Sequence, residues 1–193
     1  MSQAVDSQRS ALMVVDMLNP YEHKDAHQLT PSVERVVGRM RDLIQRAHDE
    51  GVKVIYVNDN YGQWTSSREE LVDAALSAAR PDLVEPIVPA EDTAFVIKAR
   101  HSIFYSTPLE YLLGQEGVDH LVLAGQVTEQ CILYSALDVY VRHHRVTVAR
   151  DAVAHIDEHL ADAALAMMER NMAAEISPAA QCTMVSGQVS ARR

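Results

Sequence analysis

His120-Leu-Val-Leu-Ala-Gly125-Gln-Val-Thr-Glu-Gln-Cys131 is the stretch from which the rest of the chain is read. Its first half is an uninterrupted apolar run that reads as a buried strand. Its second half enters a helix expected from Glu129 to about His143, with Cys131 in the first turn. A thiol there meets the positive end of a helix dipole and backbone N–H groups that lack helical partners. Both favour the thiolate, which is the nucleophilic form. Taken alone, such a cysteine passes for a small buried apolar residue. Two further strand-like runs that end in a reactive side chain argue against that reading.

The first of these is residues 11–15, Ala-Leu-Met-Val-Val, followed at once by Asp16. The second is residues 95–97, Phe-Val-Ile, followed by Lys98. Between and beyond them the pattern alternates. A polar stretch runs through Pro31, and Val33, Val36, Val37, Met40, Leu43, Ile44 and Ala47 then predict a helix over 32–50 with one apolar stripe. Gly51 fits its stop. Residues 52–57 read as a strand, 58–64 as a loop, and 66–79 as a helix capped by Ser66 or Ser67. Pro81, Pro86 and Pro89 mark an irregular connection, and Pro108 opens a short helix over 108–113. Residues 145–149 predict a strand, 157–172 a helix, and 182–185 the last strand. Strands alternating with helices imply an α/β fold with a parallel sheet covered on both faces. In such sheets ligands bind beyond the carboxyl ends of the strands. Asp16, Lys98 and Cys131 are therefore expected on one rim.

The chain has 193 residues, enough for a single domain with a sizeable core, expected over 11–188 between a loose leader (1–10) and a short tail (189–193). A formal net charge of -10 excludes a general nucleic-acid or membrane-surface binder, which needs a basic face. No apolar run is long enough to span a bilayer. The polar first residues lack the apolar block of a secretion signal. With two cysteines, Cys131 and Cys182, a disulfide framework is not expected, and a cytoplasmic protein is.

An acid, an amine and a thiol on one rim make a nucleophilic site. Asp16 can take the thiol proton and return it to a leaving group. Lys98 supplies a fixed positive charge that lowers the proton affinity of its neighbours. Cys131 would attack a carbonyl carbon to form a thioester, which water activated by Asp16 would hydrolyse. Backbone N–H groups around Val127 and Cys131 could hold the oxyanion. Tyr21, Tyr61, Trp64 and Phe104 each follow a strand on the ligand side and are the expected substrate-binding aromatics.

These segments resemble the isochorismatase-like cysteine hydrolases, which include nicotinamidases and N-carbamoylsarcosine amidohydrolases. Residues 12–19, Leu-Met-Val-Val-Asp-Met-Leu-Asn, are similar to the motif that carries the family's aspartate. Residues 96–104, Val-Ile-Lys-Ala-Arg-His-Ser-Ile-Phe, resemble its lysine motif with the following Ser-x-Phe. Residues 121–131 resemble the cysteine motif, and Asp151-Ala-Val-Ala154 the later Asp-Ala element. The resemblance implies a three-layer α/β/α sandwich with a six-stranded parallel sheet, and a cis peptide at Gln126–Val127 that turns backbone N–H groups toward the oxyanion. It also implies a homodimer or homotetramer acting on a small-molecule substrate.

Departures from the family pattern sharpen this expectation. Nicotinamidases bind metal through an Asp-x-His pair and a further histidine after the second strand. Here residues 58–64 read Asn-Asp-Asn-Tyr-Gly-Gln-Trp, so neither a metal nor any other cofactor is expected. Leu18-Asn-Pro-Tyr21 replaces the family's usual Gln-Asn-Asp-Phe and bears on pocket shape. Members that hydrolyse isochorismate can lack the cysteine, and its presence favours acyl transfer at an amide or ureide C–N bond. The rivals are ether hydrolysis by an isochorismatase, a catalytically inactive binding relic, and a redox-sensing thiol. His155 with His159, and His143 with His144, read as solvated surface, and Cys182 as core.

Overall fold

Six extended segments pair side by side in the computed structural model, which describes residues 9–187. They are β1 (Arg9–Val15), β2 (Lys53–Asp59), β3 (Ala94–Lys98), β4 (Val118–Gln126), β5 (Arg145–Ala154) and β6 (Glu175–Ser177). Their order is β3-β2-β1-β4-β5-β6, and every pairing is parallel. Parallel neighbours need crossovers, and helices supply them. These are α1 (Ala26–Asp49), α2 (Arg68–Leu76), α3 (Leu109–Glu116), α4 (Leu133–Val141) and α5 (Glu158–Met172).

Strand side chains alternate between two cores. Leu12 and Val14 of β1, Val54 and Tyr56 of β2, and Val122 and Ala124 of β4 pack with Leu29, Val33, Met40 and Leu43 of α1. Ala11, Met13 and Val15, Ile55 and Val57, and Leu121 and Leu123 face the other way, onto Leu109 and Leu113 of α3, Ala136 and Val139 of α4, and Ala164 and Met168 of α5. The result is a three-layer α/β/α sandwich. The strand order turns back on itself between β1 and β4, so a crevice opens there beyond the strand ends.

Gly125 makes the close approach of β4 to β1 feasible. Its φ is +127°, and a Cβ at this position would clash with the Val15 carbonyl oxygen. Only glycine tolerates both the angle and the contact.

Several boundaries differ from expectation. Helix α1 begins at Ala26 rather than at residue 32, and Pro31 lies inside it. Burial of Ala26 and Leu29 against the sheet outweighs the hydrogen bond that Pro31 withholds. The expected last strand at 182–185 is not a strand, and β6 is instead Glu175–Ser177, a short edge with a polar, half-exposed sequence. Val185 runs beside the start of β1, where its N–H donates to Ser10 Oγ and its carbonyl accepts from the Ser10 N–H. Strand β5 continues through the Asp-Ala element to Ala154, past a register shift against β4, and Asp151 Oδ1 accepts the Ala179 N–H at 2.5 Å. Arg9 and Ser10, assigned to the leader, belong to β1. The remainder of that leader, residues 1–8, and the tail at 189–193 lie outside the described residues. Among the described residues, no helix is long and apolar enough to cross a membrane.

Candidate active site

Asp16, Lys98 and Cys131 meet at the carboxyl ends of β1, β3 and β4. Asp16 is the first residue after β1 and adopts a left-handed φ of 56°, a region that aspartate enters more readily than most residues. The turn is held from several sides. The Asp16 N–H donates to the Val57 carbonyl, its Oδ1 accepts the Asp59 N–H at 2.7 Å, and its carbonyl accepts from Gln126 Nε2 at 2.6 Å. Register places Asp59 beside Lys98 on the neighbouring strand. The Lys98 side chain therefore reaches across β2 toward β1. Its Nζ lies 2.8 Å from Asp16 Oδ2, 3.3 Å from Asp59 Oδ2 and 3.7 Å from Cys131 Sγ.

Cys131 lies in a π-helical turn, Thr128–Ile132, that leads into α4, rather than in the first turn of a regular α-helix. The Gln126–Val127 peptide bond before this turn is cis. Thr128 Oγ1 donates to the Ala154 carbonyl, and Glu129 Oε1 accepts the N–H groups of Ile156 and Asp157, so the turn is anchored to the end of β5.

Electrostatics follow from burial. Lys98 is 1% exposed and Asp16 6%. Desolvation raises the Asp16 pKa against the opposing pull of Lys98 and the Cys131 hydrogen bond. Desolvation alone would lower the Lys98 pKa, but Asp16, Cys131 and Asp59 together raise it, so the ammonium is secure. The Cys131 thiol is pushed well above its ordinary value, first by burial and then by Asp16. This corrects the expectation of a resting thiolate, because burial and a neighbouring carboxylate outweigh a short turn's dipole. The resting site is a thiol beside a carboxylate that has become more basic than usual, with Lys98 in contact with both.

A cleft of about 300 Å³ opens onto this group. Asp16, Cys131, Gln126, Val127 and Tyr61 line it, as do Asn19, His23, Asp25, Asp59, His101 and Gln130, with Leu29 and Ile156 as apolar wall. Gln126 is held from behind by Tyr21, whose hydroxyl donates to Gln126 Oε1 at 3.4 Å.

The four expected aromatics divide. Tyr61 lines the cleft. Tyr21 and Phe104 are buried in the two cores, Phe104 beneath the Arg142 guanidinium at 4.5 Å, so they support the site from behind rather than wall it. Trp64 stands 82% exposed outside the cleft lining. Sequence reasoning missed Asp59 and His101. His101 Nδ1 lies 3.9 Å from Cys131 Sγ, and its ring packs on Tyr134 with centroids 5.2 Å apart. Asp59 ends β2 as Lys98 ends β3, which is the signal that could have found it. Among the described residues, no three His, Cys, Asp or Glu side chains are grouped to hold a metal ion.

A parallel sheet with a thiol, a carboxylate and an ammonium at its topological switch defines a class of hydrolase, and comparison with known proteins agrees. The isochorismatase domain model matches residues 10–181, and the chain belongs to the isochorismatase family of hydrolases. It is 32% identical to an uncharacterized isochorismatase family protein, YaaI, of Bacillus subtilis, over 86% of this chain and 92% of that one. It is 29% identical to maleamate amidohydrolase of Pseudomonas putida, over 80% and 77% of the two chains. The crystal structure of N-carbamoylsarcosine amidase from Thermoplasma acidophilum superposes with a TM-score of 0.71 at 28% identity, covering 91% of this chain and 99% of that one.

Proposed function

We propose that this protein is a cysteine hydrolase that cleaves an amide or ureide-type C–N bond of a small molecule through a thioester on Cys131. One observation carries the reading: Lys98 Nζ contacts both Asp16 Oδ2 and Cys131 Sγ beneath an open cleft. Substrate binding brings a carbonyl carbon to Sγ. As the C–S bond forms, the thiol proton passes to Asp16, and Lys98 balances the negative charge as it moves from carboxylate to sulfur. The N–H groups of Val127 and Cys131 hold the oxyanion, an interaction whose loss costs about a hundredfold or more in rate. Asp16 then gives its proton to the departing nitrogen, leaving the acyl group on sulfur. A water molecule, deprotonated by Asp16, attacks the thioester, and the acid departs as the thiol is restored. The reading is metal-independent, since residues 58–64 offer no histidine. Its relation to two amide-cleaving proteins supports the C–N bond over the ether bond of isochorismate. Redox sensing by a cysteine pair is disfavoured because Cys182 packs in the opposite core from Cys131 and offers no resolving thiol.

The test is turnover of a panel of small amides and ureides, with isochorismate included, by the parent protein and by Cys131→Ala and Cys131→Ser. Loss of C–N cleavage in both variants, with the fold intact by circular dichroism, is the expected result. Full activity in Cys131→Ala, or turnover of isochorismate alone, overturns the proposal.

A further inference from the structure

The cleft carries one charge, that of Asp25, that the reaction itself does not use. Three carboxylates line it, from Asp16, Asp25 and Asp59, and no arginine or lysine does so among the described residues. Lys98 lies beneath the cleft with its ammonium already engaged by Asp16 and Asp59. The positive charge nearest the thiol is thus committed to the reaction and does not extend to the mouth.

Asp25 stands apart from the other two carboxylates. It precedes α1, where an aspartate ordinarily folds its side chain back onto the first free N–H groups. Here its backbone sits at φ -96°, ψ 5°, and its side chain makes no capping bond. Its carbonyl accepts the Gln28 and Leu29 N–H groups, but its carboxylate has no hydrogen-bond or ion-pair partner among the described residues. An unpaired, half-buried carboxylate on the cleft wall repels an anionic ligand and attracts a cationic one. The N-terminus of α1 contributes an opposing dipole, equivalent to about half a positive charge. The full negative charge of Asp25 outweighs it.

We propose that the substrate is a small amide or ureide bearing an ammonium group, and that Asp25 is the specificity-determining residue that receives this group while disfavouring carboxylated substrates. The proposal rests on the cysteine hydrolase reading of the cleft. Asn19 and Gln130 stand on the same walls as polar neighbours for the ligand, and Leu29 and Ile156 cover its apolar body.

The experiment reads the charge preference at Cys131 directly. The protein is treated at pH 8 with 2-aminoethyl, methyl and 2-sulfonatoethyl methanethiosulfonate, which share a reactive group and differ in charge. Modification of the Cys131 peptide is followed by mass spectrometry, separately from Cys182. The methyl reagent is the internal reference in each variant, and 2-mercaptoethanol corrects for intrinsic reactivity. The cationic reagent is expected to outpace the anionic one by about twofold to fivefold after correction, the scale of one partly exposed charge contact. Asp25→Asn should remove most of that ratio. A corrected ratio at or below one, or a ratio unmoved in Asp25→Asn, overturns the proposal. A Cys131 that none of the three reagents modifies shows no cationic preference and overturns the specificity proposal, while acetylation of that thiol by p-nitrophenyl acetate decides the hydrolase reading separately. A reactive Cys131 without charge preference removes the specificity proposal alone.

Discussion

Lys98 and Asp16 form a buried ion pair of 2.8 Å although their strands, β3 and β1, are separated by β2. The lysine side chain spans that strand at the level of Asp59, which shares the ammonium at 3.3 Å. Two carboxylates converge on one cation, and their effects on removal differ. Lys98→Met strands both carboxylates, and should cost about 3–5 kcal/mol, the scale for breaking a buried pair. Asp16→Asn leaves Asp59 to hold the ammonium and should cost less. Urea unfolding of both variants measures the order, and a larger loss in Asp16→Asn contradicts it.

The rate should depend on pH through Asp16. It accepts the thiol proton only when ionised, so activity falls as pH drops through its pKa. Burial raises that pKa, and the acid limb of kcat/KM should therefore lie above the ordinary aspartate value of 3.8. Lys98 is held above its ordinary 10.5 and contributes no alkaline limb below that pH. Asp16→Asn should abolish turnover rather than shift the limb. An acid limb at or below pH 3.8 in the parent protein is the contrary result.

Gly125→Ala should destabilise the fold by at least about 3 kcal/mol, because the new methyl meets the Val15 backbone and the sheet cannot yield cheaply there. Thermal unfolding reports this directly. Gly38→Ala, which meets nothing within 4 Å, is the control and should be neutral or stabilising in its helix.

His120 links four strands at the far end of the sheet. Its Nδ1 is 2.9 Å from Ser10 Oγ and its Nε2 2.8 Å from Thr147 Oγ1, which in turn lies 3.5 Å from Glu175 Oε2. Burial, with Arg145 nearby, lowers its pKa from 6.5. The unfolded chain then binds a proton at His120 before the folded protein does. Stability is complete above pH 6.5 and declines as pH falls below it. His120→Asn should lower stability at pH 8 and flatten this decline. An unchanged slope between pH 6.5 and pH 5 would count against the assignment.

Much of the fold was legible because burial on two faces leaves continuous apolar strands, and because each of Asp16, Lys98 and Cys131 directly ends or closely follows one. What escaped was set by tertiary contact. The segment at 182–185 looks like a strand but spends its polar groups on Ser10 instead, while polar Glu175–Ser177 pairs with β5 because the edge position accepts it. Helix α1 begins early because Leu29 finds the core, which its sequence surroundings do not reveal. His101 and Asp25 reach the cleft through loop conformations, among them a φ of 21° at His101, that no periodicity encodes, and Asp59 reaches it because β2 runs two residues beyond its apolar run. Tyr21 and Phe104 follow strands as expected but turn inward, where apolar area rewards them more than a solvent-facing wall would.

The central claim is acyl transfer to Cys131, and p-nitrophenyl acetate tests it without knowledge of the natural substrate. Rapid quenching followed by mass spectrometry should show one acetyl group on the Cys131 peptide, decaying as the thioester hydrolyses, with p-nitrophenol released beyond one equivalent. Absence of the adduct from Cys131, or the same release from Cys131→Ala, contradicts the account.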